Sequence, residues 1–554
     1  MEKDYQSLEL PYSRSPDQDL AEPAHHPVIV VGAGPVGLAT AIDLAQRGIK
    51  VVVLDDDNKL SFGSRAICFA KRTLEIFDRL GVGQPMVDKG ISWNVGKVFF
   101  QDDLVYRFNL LPEAGHQRPA FINLQQYYVE GYLYERAATL ENLSLRWKNK
   151  VVGLTRHADH VELTVETPDG SYRLTGDYLI ACDGGRSAVR RVMGLESKGV
   201  TFRDRFLIAD VKMKADFPTE RWFWFDPPFH RNQSVLLHRE PDDVWRIDFQ
   251  LGWDADPEEE KKPERVIPRI QALLGRETEF TFEWVSVYTF VCMRMDKFRH
   301  GRVIFAGDSA HGVSPFGARG ANSGVQDAEN LAWKLQFVLE GRAPEALLDT
   351  YGIEREYAAD ENILNSTRST DFITPKSEIS RVFRDATLQL AKEYPFARRL
   401  VNSGRLSVPA VLWDSPLNTL DTDEFAGAMV PGAPSTDAPV RVHGDDGWFL
   451  SHVGGDFTGV YFAAHGAAPA DALASLQDGK LGVKPVVVVQ PGMSGISYPR
   501  IDVIEDSEGL LATRFDARPG TFYLLRPDQH VCARWRSFDP TQVRAAVARA
   551  TGNP

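Results

Sequence analysis

The stretch PVIVVGAGPVGLATAIDLAQRGIKVVVLD, residues 27–55, decides the fold class of this chain. Its two all-apolar runs, residues 28–31 and 51–54, are typical of strands buried on both faces of a parallel sheet. Between them, a glycine-rich turn opens a segment whose apolar residues fall on one helical face. The stretch therefore predicts a βαβ unit that carries a dinucleotide-binding fingerprint.

Each glycine of the fingerprint has a physical reason. Gly32 permits the tight turn after the first strand, Gly34 lets a pyrophosphate approach the backbone, and Gly37 allows close packing of helix on strand. The N–H groups and the positive dipole end of the helix attract phosphates. Asp55, the first acid after the second strand, is placed to accept hydrogen bonds from an adenosine ribose. The fingerprint leaves open which dinucleotide binds.

Length and composition restrict the classes of function and the kinds of partner that this chain can have. The chain has 554 residues, enough for three or four domain-sized units, and a net charge of −13 with no strongly basic run argues against a nucleic-acid partner. Its four cysteines show neither CxxC nor metal spacing, which predicts reduced thiols, no metal site and a cytoplasmic location. No apolar run is long enough for a membrane span. Residues 1–26 lack a signal peptide's apolar core and are expected to form a flexible arm, or a strap over a neighbouring subunit.

Strand patterns predict a second unit inserted into the first. Residues 199–297 contain five segments rich in aromatic and β-branched side chains, as in an antiparallel sheet. On the segment VWRIDFQ, period-two alternation places Arg246, Asp248 and Gln250 on one face. That polar face is turned either to solvent or to a substrate. The chain returns to the first unit at residues 298–343, continues through a helical region and proline-rich linker at 344–429, and ends in a strand–helix block at 430–554.

Three signatures follow one another: GAGPVG at 32–37, CDGGRS at 182–187 and GDSAHGVSPFGARGANSGVQDAENLAWKL at 307–335. With these in this order, residues 27–400 resemble the class A FAD-dependent aromatic hydroxylases of the para-hydroxybenzoate and phenol hydroxylase kind, most of all the 3-(3-hydroxyphenyl)propionate hydroxylase branch. The resemblance implies an α/β fold with a Rossmann-like FAD domain at 27–198 and 298–343 and an inserted antiparallel β-sheet substrate domain at 199–297. It also implies a C-terminal thioredoxin-like domain at 430–554, which lacks CxxC and so cannot carry out dithiol chemistry.

FAD binding is implied at many positions of the first domain. The resemblance implies that Asp308 contacts the ribityl chain of FAD and that the helix starting near Asn322 points at the flavin ring. It also implies that Asp183 to Arg186 contact both FAD and NAD(P)H, which binds only transiently. Three of these positions also have an interpretation without a cofactor: a surface arginine at position 65, a helix-capping amide at 126 and a turn residue at 183. The implied cofactor-binding residues are Gly32, Gly34, Pro35, Val36, Gly37, Asp55, Arg65, Gln126, Val151, Asp183, Gly184, Arg186, Gly307, Asp308, Pro315, Gly317, Gly320, Ala321 and Asn322.

The implied activity is hydroxylation of a phenolic ring with NAD(P)H and O2, through a flavin C4a-hydroperoxide, by a homodimer. The implied catalytic residues are Arg246, Tyr288 and Pro315, and the substrate residues are Trp224, His238, Arg239, Arg246, Asp248, Gln250 and Tyr288. The base that deprotonates the phenol is not identifiable, since Ile67 stands where phenol hydroxylase has an aspartate. Two alternatives stay open: a tailoring oxygenase for polyketides or other polycyclic phenols, and a flavin-binding interaction protein with little turnover. Coupled NAD(P)H oxidation would separate the enzymes from the interaction protein.

Overall fold

The computed structural model describes residues 5–553 with the exception of residues 62, 64–65, 402–405, 466 and 494. Arg65, one of the predicted FAD contacts, lies outside the described residues. The strands up to residue 196 are β1 (Ala24–Val31), β2 (Val51–Leu54), β3 (Cys68–Ala70), β4 (Ile91–Trp93), β5 (Val95–Phe100), β6 (Asp103–Asn109), β7 (Phe121–Asn123), β8 (Leu143–Arg146), β9 (Lys150–Arg156), β10 (Val161–Thr167) and β11 (Gly170–Ala181). The helices of the same region are α1 (Pro35–Gln46), α2 (Lys71–Leu80), α3 (Gly83–Lys89), α4 (Gln126–Ala138) and α5 (Ala188–Val192).

The middle of the chain supplies eight strands and six helices among the described residues. The strands are β12 (Ser197–Lys212), β13 (Arg221–Phe225), β14 (Ser234–Arg239), β15 (Val244–Leu251), β16 (Thr281–Met295), β17 (Arg299–His300), β18 (Val303–Phe305) and β19 (His311–Gly312). The helices are α6 (Pro257–Glu260), α7 (Pro263–Leu274), α8 (Gly320–Leu339), α9 (Asp349–Ile373), α10 (Glu378–Glu393) and α11 (Pro395–Arg398).

The C-terminal part forms a unit with a sheet of its own. Its strands are β20 (Pro439–Val442), β21 (Asp445–Trp448), β22 (Thr458–Phe462), β23 (Lys484–Val489), β24 (Asp502–Glu505), β25 (Phe522–Leu525) and β26 (Val531–Trp535). Its helices are α12 (Ala470–Ala474), α13 (Leu510–Arg514) and α14 (Pro540–Ala550). The sheet is mixed, because β22, β23 and β24 run parallel whereas β25 and β26 are antiparallel to their neighbours.

The first unit is built on the predicted βαβ stretch. Strand β1 lies at the centre of the sheet order β17-β18-β11-β1-β2-β8, parallel to both of its neighbours. Its residues Val28, Ile29 and Val30 are fully buried, as the all-apolar run predicts. Helix α1 begins at Pro35, which is favourable at a first helical position, and α2 ends at Gly81 in the left-handed conformation (φ 83°).

The inserted sheet contains all five predicted strands, in the order β19-β16-β12-β15-β14-β13-β5-β6. It differs from the prediction in two respects. Strands β5 and β6 come from the first part of the chain, so the sheet is not confined to residues 199–297. The pair β5–β13 is parallel, so the sheet is not wholly antiparallel. Strand β13 would otherwise present an unpaired edge, and β5 satisfies its backbone groups.

The N-terminal segment is not the flexible arm that its polar composition suggested. Tyr5 is only 5% exposed and packs edge-on against Tyr128 and Tyr132 of α4, each with a ring-centroid distance of 5.8 Å. Asp17 forms an ion pair of 2.7 Å with Arg146. These aromatic and ionic contacts make the described residues before β1 part of the first unit.

A buried charge cluster joins the C-terminal unit to the first unit. Lys334 of α8 and Glu354 of α9 meet Arg526 and Asp528 of the β25–β26 turn, and all four side chains are fully buried. We call these four residues the interface cluster. Helix α8 begins at Gly320, two residues before the predicted start near Asn322. Among the described helices, none combines the length and the apolar character needed to cross a membrane.

Candidate active site

The three signatures meet at one edge of the first sheet. Strands β18, β11, β1 and β2 are neighbours, and their carboxyl ends carry Asp308, Asp183, Gly32 and Asp55. Hydrogen bonds between the strand ends hold this edge together: Cys182 N donates to Val31 O (2.7 Å), Ala306 N to Ala181 O (3.0 Å) and Gly32 N to Leu54 O (2.8 Å). Distant segments of the chain thus form one continuous ligand-binding edge, as open parallel sheets do.

The glycines of the first signature divide into packed and open positions. A Cβ on Gly32, whose φ is 103°, would lie 2.4 Å from the Cys182 carbonyl oxygen, and one on Gly37 would lie 1.9 Å from the Gly32 carbonyl oxygen. A Cβ on Gly34 would meet no described atom within 4 Å. Gly34 is also the N-cap of α1 and offers no side chain to its N–H groups. The open cradle and the free helix end fit a pyrophosphate.

Two carboxylates flank this cradle. Asp55 accepts hydrogen bonds from Ala33 N (2.6 Å) and Asp57 N (2.8 Å). Burial, together with the charges of Asp56 and Asp57, raises the pKa of Asp55 to about 6 in spite of these two donors. Asp183 accepts from Val189 N (3.1 Å) through Oδ2, while its buried Oδ1 has no partner among the described residues. An orphaned acceptor at this place fits a hydroxyl or N–H donor of a bound cofactor.

Helices α1 and α8 and strand β18 pack closely at the predicted flavin end of the site. A Cβ on Gly324 would lie 2.5 Å from Val36 Cγ2, and one on Gly307 would lie 3.0 Å from the same atom. Gly320 is more open, because a Cβ there would meet only Val313 and Asp308 Oδ1, at 3.7 and 3.9 Å, among the described atoms. The Asp308 side chain is exposed at this opening. The site therefore has room for a ligand between Asp308 and the first turn of α8.

Asp327 holds the turn between Gly307 and Asp308 in place, and sequence reasoning did not find it. It is fully buried and accepts hydrogen bonds from Gly307 N (2.9 Å), His311 Nε2 (2.7 Å) and Arg355 Nε (2.6 Å). Burial alone would raise the pKa of Asp327, but His311 and Arg355 outweigh it and lower the pKa below its usual range. The carboxylate thus holds the turn that presents Asp308.

Two predicted cofactor residues use their side chains to hold the protein together. The Asn322 amide oxygen accepts from Ala70 N (2.8 Å), and its nitrogen donates to Cys68 O (2.9 Å). What Asn322 leaves for a cofactor is its backbone N–H in the first turn of α8. Gln126 accepts from Ala66 N (3.1 Å) and donates to Ser61 Oγ (2.9 Å), so it links these two residues. The predicted Arg186 is exposed, and Val151 is buried in the core of the first unit.

The polar face of β15 is buried, so the solvent-facing alternative is wrong. Arg246, Asp248 and Gln250 are 3%, 6% and 7% exposed. Arg246 forms a two-point ion pair with Asp210 of β12, with distances of 2.8 and 2.7 Å, and lies opposite His238 of β14. We call this side of the inserted sheet the inner face.

A partly open cavity lies between the inner face and the turn Pro315–Gly317. Its lining is largely aromatic, and it includes Arg221, Phe223 and Phe225 of β13 together with Phe316 and Phe372. Burial raises the pKa of Asp248 to about 7, although Arg246 acts in the opposite direction. Burial also raises the pKa of Tyr288, whose ring contacts Phe290 at a centroid distance of 5.3 Å.

Two predicted substrate residues lie on the outer face of the sheet, away from the cavity. Trp224 stacks on Phe99 at 5.1 Å and packs in the core of the outer face with Trp245. Arg239 lies 5.7 Å above the Trp245 ring, also away from the inner face. Side chains alternate along a strand, so the neighbours Phe223 and His238 take the inner positions. The same alternation on RWFWF would have identified Arg221, which sequence reasoning missed.

The comparisons with known proteins agree with this architecture. The FAD binding domain family matches residues 25–366, more than half of the chain. A 3-(3-hydroxy-phenyl)propionate/3-hydroxycinnamic acid hydroxylase of Mycolicibacterium gilvum (strain PYR-GCK) is 28% identical over 529 residues, which cover 91% of this chain and 88% of that protein. A 6-methylpretetramide 4-monooxygenase of Streptomyces rimosus is 30% identical over 546 residues, which cover 94% of this chain and 92% of that protein.

A solved structure shows the same fold over almost the whole length. The crystal structure of the flavin-dependent monooxygenase PieE, in complex with FAD and substrate, superimposes with a TM-score of 0.80 at 21% identity and covers 96% of this chain and 100% of that one. The chain therefore belongs to the FAD binding domain family, and it is an FAD-dependent monooxygenase of the aromatic hydroxylase kind.

Proposed function

We propose that the enzyme hydroxylates a phenol held in the cavity between the inner face and the turn Pro315–Gly317. The observation that carries this proposal is the cavity itself, with aromatic walls and buried polar groups at one side. FAD, when bound, supplies the redox chemistry that uses NAD(P)H and O2. The protein's part is to orient the ring and exclude water, and the aromatic walls suit both tasks.

We assign the cofactor contacts to residues at the carboxyl edge of the first sheet. Gly34 and the N-terminus of α1 hold the pyrophosphate, and Asp55 accepts from the ribose. Asp308 and the first-turn N–H groups of α8 hold the flavin end. Asp183 Oδ1 offers a further acceptor, and the exposed Arg186 is free to meet NAD(P)H. The open cradle at Gly34 and the orphaned oxygen of Asp183 support this assignment.

Asp248 is the group that takes the phenolic proton. It is buried on the inner face, and its Oδ1 has no partner among the described residues. Its pKa of about 7 suits a general base that works near neutral pH. The O–H bond of the phenol breaks, the proton moves to Asp248, and the electron pair left on oxygen activates the ring toward an electrophilic oxygen atom. Arg246 stays paired with Asp210 beside it.

Two kinds of phenol are candidates for this cavity. One relative is named for a single-ring phenol and another for a polycyclic one. We take the single-ring kind as the first candidate for this chain and the polycyclic tailoring oxygenase as the second.

A panel of phenols tests the proposal. We expect single-ring phenols to stimulate NAD(P)H oxidation and to gain one oxygen atom by mass spectrometry. Asp248→Asn should lower the turnover of these substrates by about 10²–10⁴-fold, the usual contribution of a general base. Asp243→Asn, at an exposed position next to β15, is the matched control and should turn over like the wild type. Oxidation of NAD(P)H with polycyclic phenols alone, or an active Asp248→Asn, would overturn the assignment.

In this proposal the C-terminal unit contributes to the assembly of two chains into a dimer. Its parallel strands β22, β23 and β24 with antiparallel β25 and β26 support a thioredoxin-like arrangement, and we propose a cytoplasmic homodimer. Cys532 is the one cysteine of this unit and is buried, so it has no partner thiol for redox cycling. Light scattering on the full chain tests the dimer, which should show twice the 61.9 kDa of one chain.

A further inference from the structure

Helix α10 is apolar on two faces, and the described part of the chain covers only one of them. Leu388 and Ala391 on the covered face are fully buried, in the same core as Phe223 and Phe225 of the cavity wall. On the other face, apolar side chains recur at helical spacing and continue into the start of α11. We call this second face the α10 surface, and its large apolar side chains are Ile379, Val382, Phe383, Leu390, Tyr394 and Phe396.

The α10 surface is larger than the apolar patches that monomers usually expose. Its six side chains are between 45% (Leu390) and 83% (Ile379) exposed. Side chains of this kind present about 150–250 Å² when fully exposed, so the six together leave about 700 Å² in solvent. The largest apolar patch of a typical monomer measures about 300–600 Å², whereas each partner in a stable complex buries about 800 Å². The area is therefore close to one half of a standard protein–protein interface.

The charges of α10 favour one kind of partner. The helix carries three acidic and three basic residues, so its net charge is zero. Helices that lie on anionic membranes are instead rich in Lys and Arg on their polar face, and the chain as a whole has a net charge of −13. A neutral apolar surface allows two equally acidic chains to approach, because no like charge accumulates across the contact.

We propose that the α10 surface binds the same surface of a second copy of this chain. This rests on the proposed homodimer and adds its main contact, which lies outside the C-terminal unit. A two-fold axis joins identical patches, so two α10 surfaces would together bury about 1,400 Å², within the range of about 1,200–2,000 Å² of stable interfaces. Phe383, Tyr394 and Phe396 supply the aromatic side chains that are enriched at the core of such interfaces.

The proposed contact lies behind the wall of the substrate cavity. On the covered face of α10, the Arg384 guanidinium lies 5.6 Å from the centre of the Phe225 ring, and Leu388 packs in the same core. A second chain on the α10 surface therefore covers the opposite face of a helix that supports the cavity wall. The partner chain would stabilise the position of α10 without contributing a residue to the cavity.

The test is the molar mass of the FAD-loaded full chain, measured by light scattering and sedimentation over a range of concentrations. The wild type should have twice the 61.9 kDa of one chain. Phe383→Glu, alone and combined with Ile379→Glu, should raise the Kd of the dimer at least about a hundredfold, because the two-fold axis brings the introduced carboxylates of both chains together. Leu420→Glu is the matched control, since Leu420 is 81% exposed but lies outside the α10 surface, and it should remain dimeric. FAD content and thermal unfolding verify that each variant is folded.

The remaining outcomes separate this proposal from the proposed function. If the wild type and the folded α10 variants are all dimers, the α10 surface is not the contact, and the homodimer rests on the C-terminal unit. If Leu420→Glu dissociates as readily as Phe383→Glu, the assignment to α10 is likewise overturned. A wild type with the mass of one chain at every concentration overturns the homodimer and this proposal together, but not the hydroxylation, which substrate turnover tests. If that monomer binds vesicles of phosphatidylcholine and phosphatidylglycerol, the α10 surface is a membrane contact instead.

Discussion

The interface cluster makes Glu354 the residue whose loss should cost the most stability. Its Oε1 accepts from Arg526 Nη1 and Ser415 Oγ, each at 2.5 Å, and its Oε2 accepts from Arg526 Nη2 (3.0 Å), Lys334 Nζ (2.7 Å) and Asn330 Nδ2 (2.7 Å). Glu354→Gln removes the charge that faces two buried cations. We expect the free energy of unfolding to fall by about 3–5 kcal/mol, the usual cost of breaking a buried ion pair from one side.

The structure predicts a loss near the lower end of this range. Arg526 keeps a second acid, Asp528, with Nε–Oδ1 at 3.0 Å and Nη2–Oδ2 at 2.5 Å. Lys334 keeps only the side-chain oxygen of Asn330, at 2.9 Å, among the described residues. Burial already lowers the pKa of Lys334 to about 8, so without Glu354 this lysine loses its proton more readily. Adding Lys334→Met to Glu354→Gln should therefore restore part of the stability.

Urea unfolding followed by far-UV circular dichroism measures the effect, with flavin fluorescence recorded in parallel. Glu340→Gln is the control, because Glu340 pairs with Arg342 at the surface (3.3 Å) and its loss should change the free energy by no more than about 0.5 kcal/mol. A Glu354→Gln protein as stable as this control would refute the reasoning. So would a double variant less stable than Glu354→Gln alone.

Three further outcomes are expected. Asp308→Ala should bind FAD about ten- to hundredfold more weakly in a fluorescence titration, because it loses a charge-assisted hydrogen bond; unchanged affinity in a folded variant would contradict the placement of the flavin end. The Kd for FAD should rise as the pH falls from 7 to 5, because Asp55, with a pKa of about 6, gains a proton and stops accepting from the ribose; Asp55→Asn should bind more weakly at pH 7 and lack this pH dependence. Cys532→Ser should turn over like the wild type, since burial raises the pKa of this thiol to about 12 and keeps it protonated; loss of activity at full FAD content would require a redox role.

Local patterns predicted much of the fold. The βαβ unit of residues 27–55 and the five strand segments of residues 199–297 agree with the prediction, because apolar runs and alternation are local signals. The parallel pair β5–β13 could not be predicted, since its hydrogen bonds join segments far apart in the sequence and leave no local pattern. The role of Asp327 could not be predicted either, because its partners His311 and Arg355 come into contact with it only in the folded chain.

The substrate residues show a different kind of error. Trp224 and Arg239 were chosen for their chemical type, whereas alternation along β13 and β14 decides which side chains reach the cavity. The alternation was legible in the sequence for Arg221 and His238 as well as for Arg246. The pairing of Arg246 with Asp210 and the isolation of Arg221 depend on neighbouring strands, so they required the three-dimensional arrangement.

The same alternation separates two roles within strand β15. Along β15, Trp245, Ile247 and Phe249 belong to the hydrophobic core of the outer face, while the residues between them belong to the inner face. Exchanges on the inner face therefore leave the packing of the outer face in place. The substrate specificity of such a sheet can therefore change one residue at a time without a change in the core that stabilises it.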